Sequence, residues 1–272
     1  MSKTLKLFKK SKYNSIKYKK YFRVYDNLFS KYINKKIVFV EIGILNGGSL
    51  QIWKKFFGNK ARIIGIDLNP KCKKFEEKGV EVFIGDQSNP KFWKYFFKKV
   101  GKVDIILDDG GHTNKQQILT AISVVKNINN NGILVTEDTH TSYMKEFNNP
   151  NKYSFIGFVK KCIDDINFTF PNLNNFYYSL NKYVYSIQIF ESIVCFHISK
   201  ENCYMNKLVN NKKFSYDFDD YRDYRRGNLE FVKKFRFLKK IFLLGKIVIF
   251  FKYIIYKIIN KKLDKTLSIY FK

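Results

Sequence analysis

Two stretches carry most of the side chains that could do chemistry. Residues 103–112 read VDIILDDGGH and residues 133–143 read ILVTEDTHTSY, each an apolar run that ends abruptly in carboxylates and histidine. A run of β-branched and apolar residues stopped by charge predicts a buried parallel strand whose carboxyl end opens into a site. In an open α/β sheet, ligands bind outside those carboxyl ends. Two such ends would bring Asp108, Asp109, His112, Glu137, Asp138 and His140 into one crevice, and two of the chain's three histidines fall there. Carboxylates are hard oxygen ligands suited to Mg²⁺, and an imidazole, with an unperturbed pKa of about 6.5, can take a proton near neutrality. Carboxylates at strand ends can also do no more than cap helices. Four acids and two histidines at neighbouring ends argue for a site.

The flanking pattern supplies the elements that would hold these groups. Residues 37–42 predict a first strand, 43–48 a glycine-rich turn, and Ser49 the start of a helix carrying Leu50, Ile52, Trp53, Phe56 and Phe57. Glycine lets backbone approach a ligand closely, and a helix N-terminus offers free N–H groups. The glycines fall at 43, 47 and 48, so this is not the G-x-G-x-x-G fingerprint. Residues 62–67 (RIIGID) predict a second strand ending on Asp67, 20 residues after Gly47. At that spacing an acid meets ribose hydroxyls in nucleotide-binding sheets; the plainer alternative is a helix cap. Residues 80–85 form a third strand followed by Asp86 and Gln87, an acid and an amide that suit an adenine edge, or else an ordinary turn. Helices are predicted over 90–99, 114–128 and 152–168, further strands over 103–108 and 132–137, and a turn over 129–132. Residues 184–190 and 193–198 predict a closing β-hairpin turned at Glu191-Ser192, with His197 read as a core histidine.

Length and composition set the frame. A chain of 272 residues with 45% hydrophobic content can bury one α/β domain plus extensions. The organisation read from it is a basic helical N-terminal extension (1–36), a sheet domain (37–200) and a basic, apolar C-terminal extension (201–272). In the first, Phe22, Tyr25, Leu28, Phe29 and Ile33 recur at helical spacing, which predicts a helix packed over the sheet or, as the functional alternative, a lid over the site. Cys72, Cys162, Cys195 and Cys203 are scattered and form no C-x-x-C pair, and no secretory leader is evident, which fits a reducing cytoplasm.

The net charge of +28 sits at the ends: residues 1–36 hold 12 Lys and Arg against one acid, and residues 230–272 hold 12 against two. The abundance of Lys, Asn, Ile, Tyr and Phe is also what an AT-rich genome would impose. Lys246 and Lys252 interrupt the apolar run of 231–271, so a spanning helix is not expected. That segment could lie on anionic lipid, at the inner face of the membrane, with its lysines snorkelling. It could equally dock on the protein or on a second subunit, giving a homo-oligomer.

The order EIG-x-x-x-GGS, GID, GDQ, DDGGH, EDTHTSY resembles the class I S-adenosylmethionine-dependent methyltransferases, and within them the metal-dependent sugar O-methyltransferases of the macrocin and mycinamicin type. The resemblance runs from about Tyr21 to Asn167. It implies a Rossmann-like, doubly wound, seven-stranded sheet ending in an antiparallel hairpin. It also implies that Glu41, Gly43, Ser49 and Asp67 hold the methionine and ribose parts of S-adenosylmethionine, with Asp86 and Gln87 at adenine and Gly47 and Asp108 further cofactor-binding residues. Asp109, Glu137 and Asp138 would bind Mg²⁺ or another divalent cation, and His112 would be the general base acting on a sugar or glycoconjugate hydroxyl. His140 is left as an orienting residue. The macrolide-modifying members carry an additional N-terminal region, whereas about 36 residues precede the first strand here, so a large macrolide acceptor is not expected. The competing reading is an RNA-binding protein or RNA methyltransferase that uses the basic ends. The absence of an N/D-P-P-Y/F motif and the suitability of histidine and metal carboxylates for a hydroxyl make nucleic acid the weaker partner.

Overall fold

Strands built from apolar and β-branched runs present alternate side chains to opposite faces, and a sheet covered on both faces needs apolar residues on each. The computed structural model describes residues 2–147, 153–167 and 178–204, and beyond them only 209, 211, 250, 253–254, 257–258 and 267–271. The strands are β1 (Val38–Ile42), β2 (Arg62–Asp67), β3 (Val80–Ile84), β4 (Val103–Asp108), β5 (Ile128–Thr136), β6 (Val184–Phe190) and β7 (Ile193–Ile198). They make one seven-stranded sheet in the order β3-β2-β1-β4-β5-β7-β6. β1 to β5 are parallel, and β7 runs antiparallel between β5 and β6. This is the doubly wound sheet with a closing hairpin that the sequence predicts.

Alternation sorts the core. Phe39, Ile63, Ile105, Leu107, Ile133 and Val135 face one layer, made by α1 (Lys3–Lys9), α2 (Tyr21–Phe29) and α3 (Gly48–Phe57). Val40, Ile64, Ile106 and Leu134 face the other, made by α4 (Pro90–Val100), α5 (Asn114–Val124) and α6 (Phe155–Asn167). The N-terminal extension is thus part of the core. Phe22, Tyr25, Leu28 and Phe29 of α2 are buried, each such burial worth roughly 1.5–3 kcal/mol. Asp26 of α2 accepts from the backbone N–H of Lys3 (2.7 Å) and of Thr4 (3.0 Å). That carboxylate satisfies free donors at the start of α1 and ties the two helices together.

One boundary differs from the sequence reading. The helix predicted over 114–128 ends at Val124, a 3-10 turn covers Val125–Asn127, and β5 begins at Ile128 instead of 132. Ile128 pairs with Val103 and Ile133 with Ile105, so the Asn-Asn-Asn-Gly stretch forms a bulge within the strand, with Asn131 at φ 65°. Its turn chemistry was legible; that a partner strand continues on its far side was not.

Residues 1–207 form one compact unit and 208–272 a second, whose described residues include a 3-10 helix at Ser268–Phe271. Most of the apolar stretch 231–271 lies outside the described residues. No helix among the described residues is long and apolar enough to cross a membrane.

Candidate active site

The carboxyl ends of β1, β4 and β5 stand side by side, because Ile42 pairs with Asp108 and Asp108 with Thr136. Backbone bonds carry this register past the strands: the N–H of Asp109 donates to the carbonyl of Ile42 (3.0 Å) and that of Glu137 to the carbonyl of Asp108 (2.9 Å). Gly43 follows β1 at φ 82°, and a Cβ there would stand 2.0 Å from the carbonyl oxygen of Asp109, so only glycine lets these strand ends meet. Beyond β4, Thr113 and Gln116 form a reciprocal capping box that starts α5. His112, immediately before that cap, is held at φ 56°, and Asp138 after β5 at φ 53°. Left-handed backbone at two non-glycine residues of one cluster is strain that the surrounding structure must maintain.

Asp109, His112 and Asp138 each offer one ligand atom, and these atoms lie within 4.8 Å of one another. His112 Nε2 is 3.4 Å from Asp138 Oδ2. Glu137 stands beside this group but is fully buried, with Oε1 accepting from the Tyr25 hydroxyl (2.6 Å) and Oε2 from Lys17 Nζ (3.2 Å). Burial drives the Glu137 carboxyl well above its ordinary range and Asp109 adds to the rise, against the opposing pull of Lys17 and Tyr25. His140 Nδ1 lies 4.0 Å from Asp138 Oδ1, at the edge of the cluster. His197 is across the sheet hairpin, with Nε2 3.2 Å from Gln188 Oε1, and takes no part.

A crevice of about 460 Å³ joins this cluster to the glycine turn, lined among others by Gly43, Asp67, Asp86, Gly110 and His112. Gly47, at φ 71°, caps α3 and brings Gly48 and Ser49 into the helix's first turn. Asp67 accepts from the N–H groups of Ile44 (3.0 Å) and Leu45 (3.1 Å), stapling the turn to the end of β2. Asp86 accepts from the backbone and hydroxyl of Ser88 (2.7 and 2.9 Å). The Gln87 side chain runs beneath the DDGGH loop: its Oε1 accepts from Gly111 N–H (2.9 Å) and its Nε2 donates to Asp108 Oδ1 (2.8 Å) and Thr120 (3.1 Å). Both halves of that amide are therefore engaged inside the protein, and Asp86 is the member of the pair with the more open setting. Asp108 is buried, and burial pushes its carboxyl up to about 6 against the pull of the Gln87 and Gly110 hydrogen bonds.

Glu41 is fully buried, and neither of its carboxylate oxygens accepts a well-formed hydrogen bond among the described residues. Burial raises its carboxyl pKa; Lys17 opposes that shift, as, more weakly, do Ser49 and Trp53. A larger apolar groove of about 1330 Å³ lies among α4, α5 and α6, lined by Trp93, Phe97, Ile118 and Phe158. Polar groups converge in the smaller crevice, and the chemistry belongs there.

Sequence reasoning missed three residues of this site. Lys17, Tyr21 and Tyr25 bring an ammonium and two phenols onto the carboxylates. Lys17 Nζ bonds Asp109, Tyr21 donates to Asp138 Oδ1 (2.6 Å) and Tyr25 to Glu137. Burial, then the neighbouring carboxylates, raise both phenol pKa values, so the hydroxyls stay protonated donors. Tyr21 and Tyr25 could have been found from their four-residue spacing on one face of α2, whereas Lys17 lies in the connection before that helix and carries no such signal. α2 is at once the packed helix and a wall of the site.

The strand order, the closing hairpin and a crevice at the strand ends define the class I methyltransferase fold. Comparison with known proteins agrees. The chain is 28% identical over 156 residues to 8-demethyl-8-alpha-L-rhamnosyl tetracenomycin-C 2'-O-methyltransferase of Streptomyces olivaceus, covering 54% of this chain and 41% of that protein. It is 31% identical over 154 residues to demethylmacrocin O-methyltransferase of Streptomyces fradiae, covering 52% and 38%. The solved structure of MycE, a methyltransferase from the mycinamycin biosynthetic pathway in complex with Mg and SAH, superposes with a TM-score of 0.58 at 25% identity, over 66% of this chain and 49% of that one. The chain thus spans about two fifths of the length of these curated relatives. No family model matches it.

Proposed function

We propose that this protein is an S-adenosylmethionine-dependent O-methyltransferase that acts, with a divalent cation such as Mg²⁺, on a hydroxyl of a sugar or glycoconjugate. The observation that carries the reading is the convergence of Asp109, His112 and Asp138 on one point at the mouth of a crevice that runs back to the Gly43 turn. The two sugar O-methyltransferase relatives each match over about half of the chain.

The residues fit the groups that the reading requires. Two buried oxygens of Glu41 without hydrogen bonds suit a cationic ligand group, and Asp67 and Asp86 line the crevice where ribose and adenine would lie. Gly43 lines it, Gly47 and Ser49 start the helix that follows the turn, and Asp108 and Gln87 hold the DDGGH loop from beneath. Asp109 and Asp138, with Glu137 beside them, are hard oxygen donors that would hold the cation. When bound, the cofactor supplies an electrophilic methyl with a neutral thioether leaving group, and the cation acidifies and orients the acceptor hydroxyl. His112 Nε2 takes the hydroxyl proton, with the Asp138 carboxylate 3.4 Å away. No group need protonate the thioether.

Calorimetric titration with S-adenosylhomocysteine, with Mg²⁺ and again in chelator, tests this reading. Saturable binding of the homocysteine compound and a separate Mg²⁺ heat that is lost in Asp138→Ala are expected. No heat from either ligand would refute the proposal.

A further inference from the structure

Among the described residues, Lys17 is a cation buried against three carboxylates. It lies in the connection between α1 and α2, yet its side chain is only 4% exposed. Its ammonium bonds Asp109, stands 3.2 Å from Glu137 Oε2 and 3.6 Å from Glu41 Oε1, and lies 5.9 Å from the centre of the Tyr25 ring. Buried Glu41 and Glu137 and the partly buried Asp109 repel one another, and a cation among them offsets the repulsion and the desolvation. The lysine supplies it. Two of its three partners, Asp109 and Glu137, are the carboxylates read above as cation donors, and the third is the residue read as receiving the cofactor's cationic end. The rest of the connection is seated on the same crevice: Ser11 Oγ donates to the Gly48 carbonyl (3.0 Å), and a Cβ on Gly48 would stand 2.6 and 2.5 Å from the carbonyl oxygens of Tyr13 and Asn14. Ile16 lines the crevice itself.

We propose that Lys17 is a tethered competitor for this site, whose ammonium must leave Asp109 and Glu137 before a divalent cation can use them, so that it sets the cation affinity and links loading to withdrawal of the 10–20 connection. The inference rests on the reading of the crevice as a cation and cofactor site. A carboxylate oxygen cannot serve an ammonium and a metal ion at full strength together. Of the three carboxylates read as donors, only Asp138 is free of Lys17, and a single protein donor holds a hard divalent ion weakly. The competition is electrostatic and local, so it does not depend on the acceptor.

Two measurements test it. Mn²⁺ and Mg²⁺ are titrated calorimetrically into the wild-type chain and into Lys17→Met, which keeps the aliphatic stem and removes the charge. The variant is expected to bind either ion about 5- to 150-fold more tightly. In parallel, the wild-type protein is treated with an amine-reactive ester, with and without saturating Mg²⁺, and modification is read residue by residue by mass spectrometry. Lys17 is expected to be protected without the ion and modified with it, against exposed Lys19 as the internal reference. Equal affinity of the two proteins, or protection of Lys17 unchanged by Mg²⁺, overturns the competition and leaves the metal reading standing. No ion heat from either protein overturns that reading, and the competition with it. If Lys17→Met fails to fold, the labelling of the wild-type chain alone decides.

Discussion

Single side chains in this site are governed by who their neighbours are once water is removed. His112 has the Asp138 carboxylate 3.4 Å from Nε2 and a partly open face, which suits a proton acceptor more than a buried ligand. His112→Ala is expected to lower methyl transfer by about 10²- to 10⁴-fold while S-adenosylhomocysteine and Mg²⁺ affinities stay close to wild type. Turnover and calorimetry on the same preparation check this, and loss of the Mg²⁺ heat would make His112 a ligand.

Asp108 offers a pH test. Burial pushes its carboxyl up to about 6, whereas in the unfolded chain it titrates near 3.9. Between those values the folded protein binds the extra proton, so the group's contribution to stability declines as pH rises from about 4 and the cost is fully present above about 6. Asp108→Asn removes that cost and keeps an oxygen for Gln87. In chelator its unfolding free energy near pH 8 is expected to exceed that of wild type by at most about 3 kcal/mol, with the gain fading near pH 4. A gain of the same size at both pH values would refute the assignment.

At the scale of elements, α2 does two things with one face. Its aromatic stripe packs on Phe39, Trp53 and Phe57, and two hydroxyls on the same stripe reach the ends of consecutive acids after β5. Residues four apart on a helix are neighbours, so Tyr21 and Tyr25 share a face and meet two consecutive acids, Asp138 and Glu137. Tyr25→Phe keeps the ring and removes the donor to Glu137. It is expected to cost about 1–3 kcal/mol of stability, from a buried acceptor left unpaired, and to weaken cation binding about 10- to 100-fold, as loss of ligand-orienting partners does. Thermal melts and calorimetry read the two effects separately. A variant with wild-type ion affinity would show that α2 only packs.

At the scale of the whole molecule, the chain's own residues determined the sheet. Apolar runs of five or six residues, glycine and asparagine turns and a capping box are local signals, and the strands, the hairpin and the meeting of DDGGH with EDTHTSY follow from them. The positions of Asp67, Asp86 and Asp109 at strand ends were legible for the same reason. What tertiary structure decided is which groups share a dry volume. Lys17 meets Asp109 across 92 positions of sequence and Tyr25 meets Glu137 across 112. A lysine in a basic stretch has the same local signature whether it is solvated or buried among carboxylates. Gln87 reads as a ligand-facing amide, and packing turned it under a loop. Local propensity and period are encoded within a few residues, whereas burial and pairing of charges depend on where the rest of the chain comes to lie, and that is settled only when the core closes.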